Sequence, residues 1–504
     1  MRKIRVALAV LVVTSTATAA GPAFVQITNG LQNAPDAGPA NKKFVAFTSS
    51  DDATPGAPGN ADGSVETYLL DVKTNAITQI TSLDAGGIAA PLDWLPDGRL
   101  LLRANENIAT TGPGPTAAGF CLYVHSPGRV GAAGTTTLVS PQLNFGGGSF
   151  NVHVAPDGKT WYLDAIADLV GENADQSPEV FAFDVATKSL RQITHGNGPG
   201  ASSALLGFLD KGRRALISST DDLSGEGTNV AGTAAAFVVD LKTSAAEQIT
   251  PGDVGISGAK IDSTGRRIAF SFIVHVGPAF HFDWKVYDRR TKTLTPATRD
   301  GSLTFVPGSS LVVLNTREDL VPSATPGQGN ADRSLEIFTM DLKTGAVVQR
   351  TATNQDTFLE RVGANASAPV IVSSYGDLAP GAPGNGGENK QTYLVSVAAR
   401  PKPTVQLTAF PLAPTFDFVA GGLVVFASYV YDADVGADYR GIFVVNMKGA
   451  PHVVQITPGF GTTFTWGGPS PDGRTLFLAS TGDLAPGAPG NADGSEELYR
   501  TRIR

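Results

Sequence analysis

Apolar residues in this chain fall in short runs of Val, Ile, Leu, Phe and Ala, each bounded by Gly, Pro, Asp, Asn or Thr. Runs at 45–48, 215–218, 268–272, 311–314, 370–373, 424–427 and 476–479 recur along the chain, most following a tight turn. Pro96-Asp97-Gly98, Pro156-Asp157-Gly158 and Pro471-Asp472-Gly473 are the clearest of these turns. A second set of runs lies at 67–72, 180–185, 236–241, 285–287, 336–342 and 442–447. Several end in an Asp-x-x-Thr turn: Asp71/Thr74, Asp184/Thr187, Asp240/Thr243, Asp288/Thr291 and Asp341/Thr344. Short Asp and Thr side chains suit turns because they hydrogen-bond the nearby backbone. A third run carries Gln-Ile-Thr or a close variant, at Gln79/Thr81, Gln192/Thr194, Gln248/Thr250, Gln406/Thr408 and Gln455/Thr457. No segment after the first residues keeps a 3.6-residue apolar period. The pattern therefore predicts many short strands and no long helix.

The run after each turn begins near Phe44, Leu100, Trp161, Ala215, Ile268, Leu311, Val370, Val424 and Leu476. That spacing is about 54 residues, close to the period of a four-stranded propeller blade. The expected fold is all-β: a single β-propeller of about nine four-stranded blades, with eight as the alternative. The last unit ends without a Gln-Ile-Thr strand, while Phe24-Val25-Gln26-Ile27-Thr28 stands alone near the start. The N-terminal strand is expected to complete the last blade, which removes an open sheet edge. The weakest repeats are the second and the fifth, and no linker or second domain is evident.

Between the first and second runs lies a polar loop. It is nearly the same at 51–68 and 482–499, with looser copies at 167–181, 221–237, 318–338 and 376–394. Four copies share N-A-D-x-S-x-E: Asn60/Asp62/Ser64/Glu66, Asn173/Asp175/Ser177/Glu179, Asn330/Asp332/Ser334/Glu336 and Asn491/Asp493/Ser495/Glu497. An Asp precedes each, at Asp52, Asp168, Asp319 and Asp483, and Asp222 and Asp377 hold the same place in degenerate copies. Oxygen ligands at alternate positions resemble the start of a Ca²⁺-binding loop, which supplies six to eight oxygens. Asn and Asp beside Gly also make ordinary Asx turns. Both readings stand at this point: bound Ca²⁺, or a loop that only folds itself.

Composition narrows the function. The chain has 504 residues, a formal net charge of −8 and no basic stripe, which argues against nucleic acid as a partner. Residues 1–19 read as a secretory signal: Arg2, Lys3 and Arg5, an apolar stretch at 6–13, then Ala17-Thr18-Ala19. That stretch is too short to span a bilayer, and no Cys follows it to carry a lipid. The expectation is a secreted or periplasmic monomer spanning 20–504, without membrane insertion. Cys121 is the single cysteine, so no disulfide framework exists, and its apolar surroundings predict a buried inert thiol.

Two other clusters stand out. Asp432, Asp434 and Asp438 form an acidic loop that is either a shortened cation site or a solvated turn. The fifth repeat replaces its polar loop with 271–284, SFIVHVGPAFHFDW, placing His275, His281 and Asp283 among aromatics. Two His and an Asp could bind a transition metal or serve as acid and base, but aromatic packing is the simpler account. The remaining His residues are scattered and read as structural. No nucleophile elbow, zincin helix or phosphate-binding glycine motif is present. Carboxylate pairs suited to glycoside chemistry could come together from different blades.

The Pro-Asp-Gly turn, the following run, the aromatic-bearing second strand, the Asp-x-x-Thr turn and the Gln-Ile-Thr strand together resemble the WD40-like (PD40) repeats of TolB-like propellers. The resemblance covers nearly the whole chain after residue 19. Members with a Tol–Pal role carry an α/β domain ahead of the propeller, and propeller peptidases add a Ser-hydrolase domain; neither is matched. The resemblance implies an exported module that binds a protein or cell-envelope component, with no catalytic residue assigned. A carbohydrate-active lyase or glycosidase, and a Tol–Pal-like envelope role, are the alternatives.

Overall fold

The computed structural model describes residues 24–29, 31, 36–54, 59–110, 120–128, 134–139, 151–196, 200–227, 229, 232–277, 279–321, 329–363, 365–379, 390–398, 402–408, 415–420, 423–432, 437–446, 452–456, 464–469, 475–485, 491 and 495–502. Among them are nine four-stranded antiparallel sheets. Eight run consecutively, and the ninth draws one strand from the other end of the chain. Two compact units divide them. One holds Pro22–Ala259 with Gly461–Arg504, the other Lys260–Phe460.

In the first unit, the opening sheet sets the pattern with strands Asp36–Ala40, Phe44–Ser49, Glu66–Asp71 and Ile77–Gln79, hydrogen-bonded in that order. The second sheet runs from Ala89–Trp94 to Thr135–Leu138, the third from Asn151–Val154 to Leu190–Gln192, and the fourth from Ser203–Leu209 to Ala246–Gln248. The two middle strands of the opening sheet are buried throughout, as a strand flanked by neighbours on both faces must be. Phe44, Leu69 and Ile80 of the first sheet pack with Leu100, Leu102 and Tyr123 of the second. Leu101 and Leu122 of the second pack with Trp161 and Phe181 of the third. Each apolar core thus lies between consecutive sheets.

The ninth sheet, also in this unit, is ordered Phe24–Gln26, Glu497–Arg502, Thr475–Ser480, Phe464–Pro469. Phe24 lies opposite Thr501 and Gln26 opposite Tyr499, and the Ile27 amide donates to the Leu498 carbonyl at 2.7 Å. The N-terminal strand therefore occupies the place that a Gln-Ile-Thr strand takes elsewhere.

In the second unit lie the last three strands of the fifth sheet, ending with Thr293–Arg299, and three more sheets, beginning at Gly301–Phe305, Thr357–Arg361 and Thr415–Ala420. The fifth departs from the pattern. Its middle strands, Arg267–Val276 and Ala279–Asp288, are ten residues each and form a long hairpin, as do Leu423–Asp432 and Ala437–Asn446 of the eighth sheet, where the N-A-D-x-S-x-E copies have a loop. Phe272 and Trp284 are buried at its base, and the Trp284 indole donates to the Gly301 carbonyl at 2.8 Å. Toward the tip Val276 and Phe280 are exposed, although the Phe280 ring still meets Phe282 edge-on at 5.5 Å.

The Gln-Ile-Thr segment is shorter as a strand than its sequence suggests. Strand pairing stops at Gln79 and Gln192, and the Ile and Thr that follow turn inward and are buried. Asp-x-x-Thr turns form as expected: Asp71 accepts from the amides of Lys73 and Thr74, both at 2.9 Å. The same contacts, led by the Thr187 amide at Asp184 and by the Lys242 and Thr243 amides at Asp240, hold those carboxyls below the usual range. Cys121 is buried, and desolvation pushes its thiol up. Among the described residues, no helix is long and apolar enough to cross a membrane.

Candidate functional site

The four N-A-D-x-S-x-E copies fold alike. Glu66, Glu179, Glu336 and Glu497 open the third strand of their sheets and are almost wholly buried. A buried carboxylate must be met by donors or it costs several kcal/mol, and each of these is met from inside. Glu66 accepts from the Thr81 hydroxyl, from the Leu83 amide at 2.6 Å and from the Ser64 hydroxyl at 2.8 Å. Glu179 accepts from Thr194, from the Gly196 amide at 2.6 Å and from Ser177 at 3.1 Å. Glu336 does so from Thr351, the Thr353 amide at 2.6 Å and Ser334 at 3.2 Å. Glu497 accepts from Thr28, the Leu31 amide and Ser495.

The rest of the motif serves the same turn. Asn60, Asn173, Asn330 and Asn491 donate through Nδ2 to the carbonyls of Ser64, Ser177, Ser334 and Ser495. Asp62, Asp175 and Asp332 accept from the amide of the Ser two residues on. The Ser64 amide and hydroxyl hold the Asp62 carboxyl below its usual range. Asp493 lies outside the described residues. The preceding Asp ties the far end of each loop: Asp52 to the Thr54 amide, Asp168 to those of Gly171 and Asn173, Asp319 to that of Asn330, and Asp483 to that of Ala485.

These contacts bear on a cation site. The Glu oxygens face inward onto Thr and backbone donors, while Asp62, Asp175 and Asp332 sit exposed and capped on Ser amides. In two copies the motif oxygens meet at the Ser hydroxyl: Ser177 Oγ lies 3.2 Å from Asn173 Oδ1 and 3.1 Å from both Asp175 Oδ1 and Glu179 Oε1, and Ser334 Oγ is set the same way against Asn330, Asp332 and Glu336. Among the described residues, no three His, Cys, Asp or Glu side chains group as a metal site requires. Of the acidic loop in the eighth sheet, Asp434 lies outside the described residues; Asp432 and Asp438 sit at the ends of their strands.

One partner of the motif is legible only as a spacing. In three copies the Thr that donates to the buried Glu lies fifteen residues later, in Gln-Ile-Thr or, at 349–351, Gln-Arg-Thr. A second role was not foreseen. The residue between Ser and Glu stitches its sheet to the next: the Ala89 amide donates to the Val65 carbonyl at 2.8 Å, Ser203 to Pro178 at 2.7 Å, and Thr357 to Leu335 at 2.6 Å.

The copy in the sixth sheet also borders open space. A cavity of about 650 Å³, wholly within the unit Lys260–Phe460, is walled by His281, Arg299, Arg317, Glu318 and Asp319. A second, of about 610 Å³, shares Arg317 and Arg333 with it and adds Asn354, Asp356 and Tyr375. Arg317 is committed: Nη2 donates to Asp356 at 2.6 Å and Nη1 to the Arg333 carbonyl at 3.1 Å. Burial opposes ionisation of Asp356, but Arg317 and the Leu335 amide hold its carboxyl below the usual range. Glu318 accepts from the Thr298 hydroxyl and the Arg299 amide, and Asp319 from the Asn330 amide. His281 Nε2 lies 3.1 Å from Asp283, while His275 is exposed toward the hairpin tip, its ring 6.4 Å from that of Phe280. Asp300 at the first cavity and Asp332 at the second are further, exposed acids at the rim. Arg299 is 70% exposed and reaches Asp283 only at 3.9 Å. The arginines carried no repeat signature, although Arg333 occupies the slot of Gly63 and Gln176 in sister copies.

No protein-family model matches the chain, and no curated protein matches it. Solved structures do resemble it. Porphyromonas gingivalis dipeptidyl peptidase 4 is 12% identical, over 90% of this chain and 64% of that one, with a TM-score of 0.50. TolB from Acinetobacter baumannii is 17% identical over 61% of this chain, with a TM-score of 0.30; this chain spans 63% of its length. An oligogalacturonate lyase in complex with manganese is 14% identical, over 79% of this chain and 96% of that one, with a TM-score of 0.35. At such identities a likeness speaks to the fold alone, and the first of these carries it. The chain has the β-propeller fold, built from repeated four-stranded antiparallel sheets.

Proposed function

We propose that this chain is an exported binding module for a protein or cell-envelope ligand, which it takes at the paired cavities beside the sixth-sheet motif loop. The supporting observation is how the charges there are used. Glu318, Asp319 and Asp356 are engaged by backbone amides, hydroxyls or Arg317, so they build the walls. Carboxylates held in this way are poor candidates for moving protons, whereas exposed guanidiniums can recognise a ligand. The N-A-D-x-S-x-E loops are, on this reading, self-folding turns that stiffen the rim without a cation.

A second reading rests on the His281–Asp283 contact beside Arg299. It is the composition a carbohydrate-active lyase or glycosidase would use. The two readings separate in one assay. Purified protein is presented with envelope proteins and with neutral and acidic glycans, following binding and product release together. Saturable binding without turnover is expected. Turnover of a glycan that Glu replacement does not affect but His281→Gln abolishes would overturn the binding reading.

A further inference from the structure

We infer that the paired cavities take a ligand bearing two or more carboxylates, with Arg333 as the residue that selects it; this rests on the binding reading above. Three observations carry the inference.

The first is backbone strain accepted for a charge. Arg333 has φ 59°, in the left-handed region that disfavours a side chain. The same position of the opening copy is Gly63, at φ 75°, and in the third sheet it is Gln176, at φ 53°. Glycine meets that geometry without penalty, so a long cation here is not required by the turn. Strain of this kind points to a use for the side chain.

The second is that the strained peptide is clamped. Arg317 bonds the Arg333 carbonyl while anchored on Asp356, which fixes where the Arg333 side chain departs. Preorganisation lowers the ordering cost of a bound ligand. The third is the imbalance of commitments around the cavities. Glu318, Asp319 and Asp356 are satisfied internally and Asp332 caps the Ser334 amide, whereas the Arg299 guanidinium is largely exposed and Arg333 is exposed at the wall common to both cavities, with Asp300 the exposed acid next to Arg299. A guanidinium presents a planar fork that matches a carboxylate. Two such forks on adjoining cavities suit a ligand with carboxylates in series, in an acidic peptide or a small polycarboxylate. The chain as a whole carries a formal charge of −8, so general attraction would not draw such a ligand in.

The test is titration of the full chain with a labelled hexaglutamate peptide, with citrate as competitor. Saturable hexaglutamate binding is expected. Arg333→Gly should weaken it at least tenfold while leaving the melting temperature equal or higher, because glycine relaxes the turn. Arg99→Gln, at an exposed arginine paired with Asp97 elsewhere, should bind like the parent chain. Citrate that displaces the peptide with equal affinity would support the assignment and identify a small polycarboxylate as the source; peptide binding that citrate cannot displace would support it and identify an acidic chain. Unchanged binding by Arg333→Gly, or no binding of either probe by the parent chain, would overturn it. Binding of a neutral ligand in that last case would leave the binding-module reading standing.

Discussion

The Thr28 hydroxyl donates to the Glu497 carboxylate at 2.6 Å, across 469 residues of chain. Thr28 Oγ1 also accepts from the Leu498 amide at 2.8 Å. Thr194 holds the same two positions against Glu179 and the Val180 amide within the third sheet, where donor and acceptor are fifteen residues apart. The last sheet is thus finished by the far end of the chain using the same chemistry that finishes the local sheets.

Replacing that hydroxyl with a methyl group tests this equivalence. Thr28→Val keeps the shape but leaves a buried carboxylate and a backbone amide each short of a partner. The expected loss is about 1–3 kcal/mol, read from the urea midpoint. Thr194→Val should cost a similar amount. A silent Thr28→Val beside a costly Thr194→Val would mean that the N-terminal strand does not finish the sheet in solution.

Much of this architecture was legible because it repeats. The run spacing and the orphan 24–28 segment point to about nine sheets, with eight as the alternative, and to their odd member, since strand pairing answers to alternation and turn chemistry that a sequence displays directly. The motif was legible as a unit, but its purpose was not. Alternating oxygens read equally as ligands or as caps, and their spacing does not show that Glu66 and its sisters are buried. Arg299 and Arg317 were hidden for another reason. Cavity walls are assembled from different strands, so no local pattern marks them. Arg333 was visible as a break in a repeat, and its meaning depends on a φ angle that the sequence does not state.

Burial of Glu336 raises its pKa, desolvation outweighing the Thr351, Thr353 and Ser334 hydrogen bonds that oppose it. A carboxyl with a raised folded pKa gives stability that is full below its unfolded value and falls away as pH rises through the folded one. Glu336→Gln removes the titration while keeping an acceptor. Gln391 already fills this position in the seventh sheet, accepting from Thr408 at 2.8 Å. The variant should therefore gain on the parent chain as pH rises from about 4 to 7, in paired thermal melts. A constant difference across that range would refute the assignment.

His125 titrates the other way. Desolvation pushes its pKa down to about 4, with Nδ1 2.9 Å from Thr136 Oγ1. A lowered folded pKa gives stability that is present above the unfolded value of 6.5 and is lost as pH falls toward 4. The His125 ring should remain neutral at pH 5.5 in a histidine NMR titration, and acid unfolding should be milder in His125→Gln. A ring that protonates near pH 6.5 in the folded chain would contradict its buried placement.

The residue after each Asp-x-x-Thr turn is left-handed: Lys188 at φ 57°, Ser244 at 60°, Lys292 at 56°, and Gly345 at 73°. A Cβ on Gly345 would meet nothing within 4 Å, so its substitution isolates the backbone term. Gly345→Ala is expected to cost about 1 kcal/mol, and Lys188→Gly to be neutral or to gain a few tenths, in urea melts. Equal and negligible effects at both sites would show that the turn tolerates either hand.

Calcium gives the sharpest test of the motif loops. A cation that binds the folded chain alone adds RT ln(1 + [L]/Kd), about 2.7 kcal/mol at a hundredfold excess over Kd. In a chain of this size that moves a melting transition by several degrees, well above the scatter of repeated scans. The carboxylates of Glu66, Glu179 and Glu336 are already saturated by Thr hydroxyls and backbone amides, so recruiting them to a cation would break those bonds. Melts in millimolar Ca²⁺ and in chelator are therefore expected to coincide. A rise with Ca²⁺ that Asp62→Asn and Asp175→Asn together remove would restore the cation reading. Those two carboxylates are exposed, and Asn keeps an oxygen to cap the Ser amide, so the double variant separates ion binding from the turn itself.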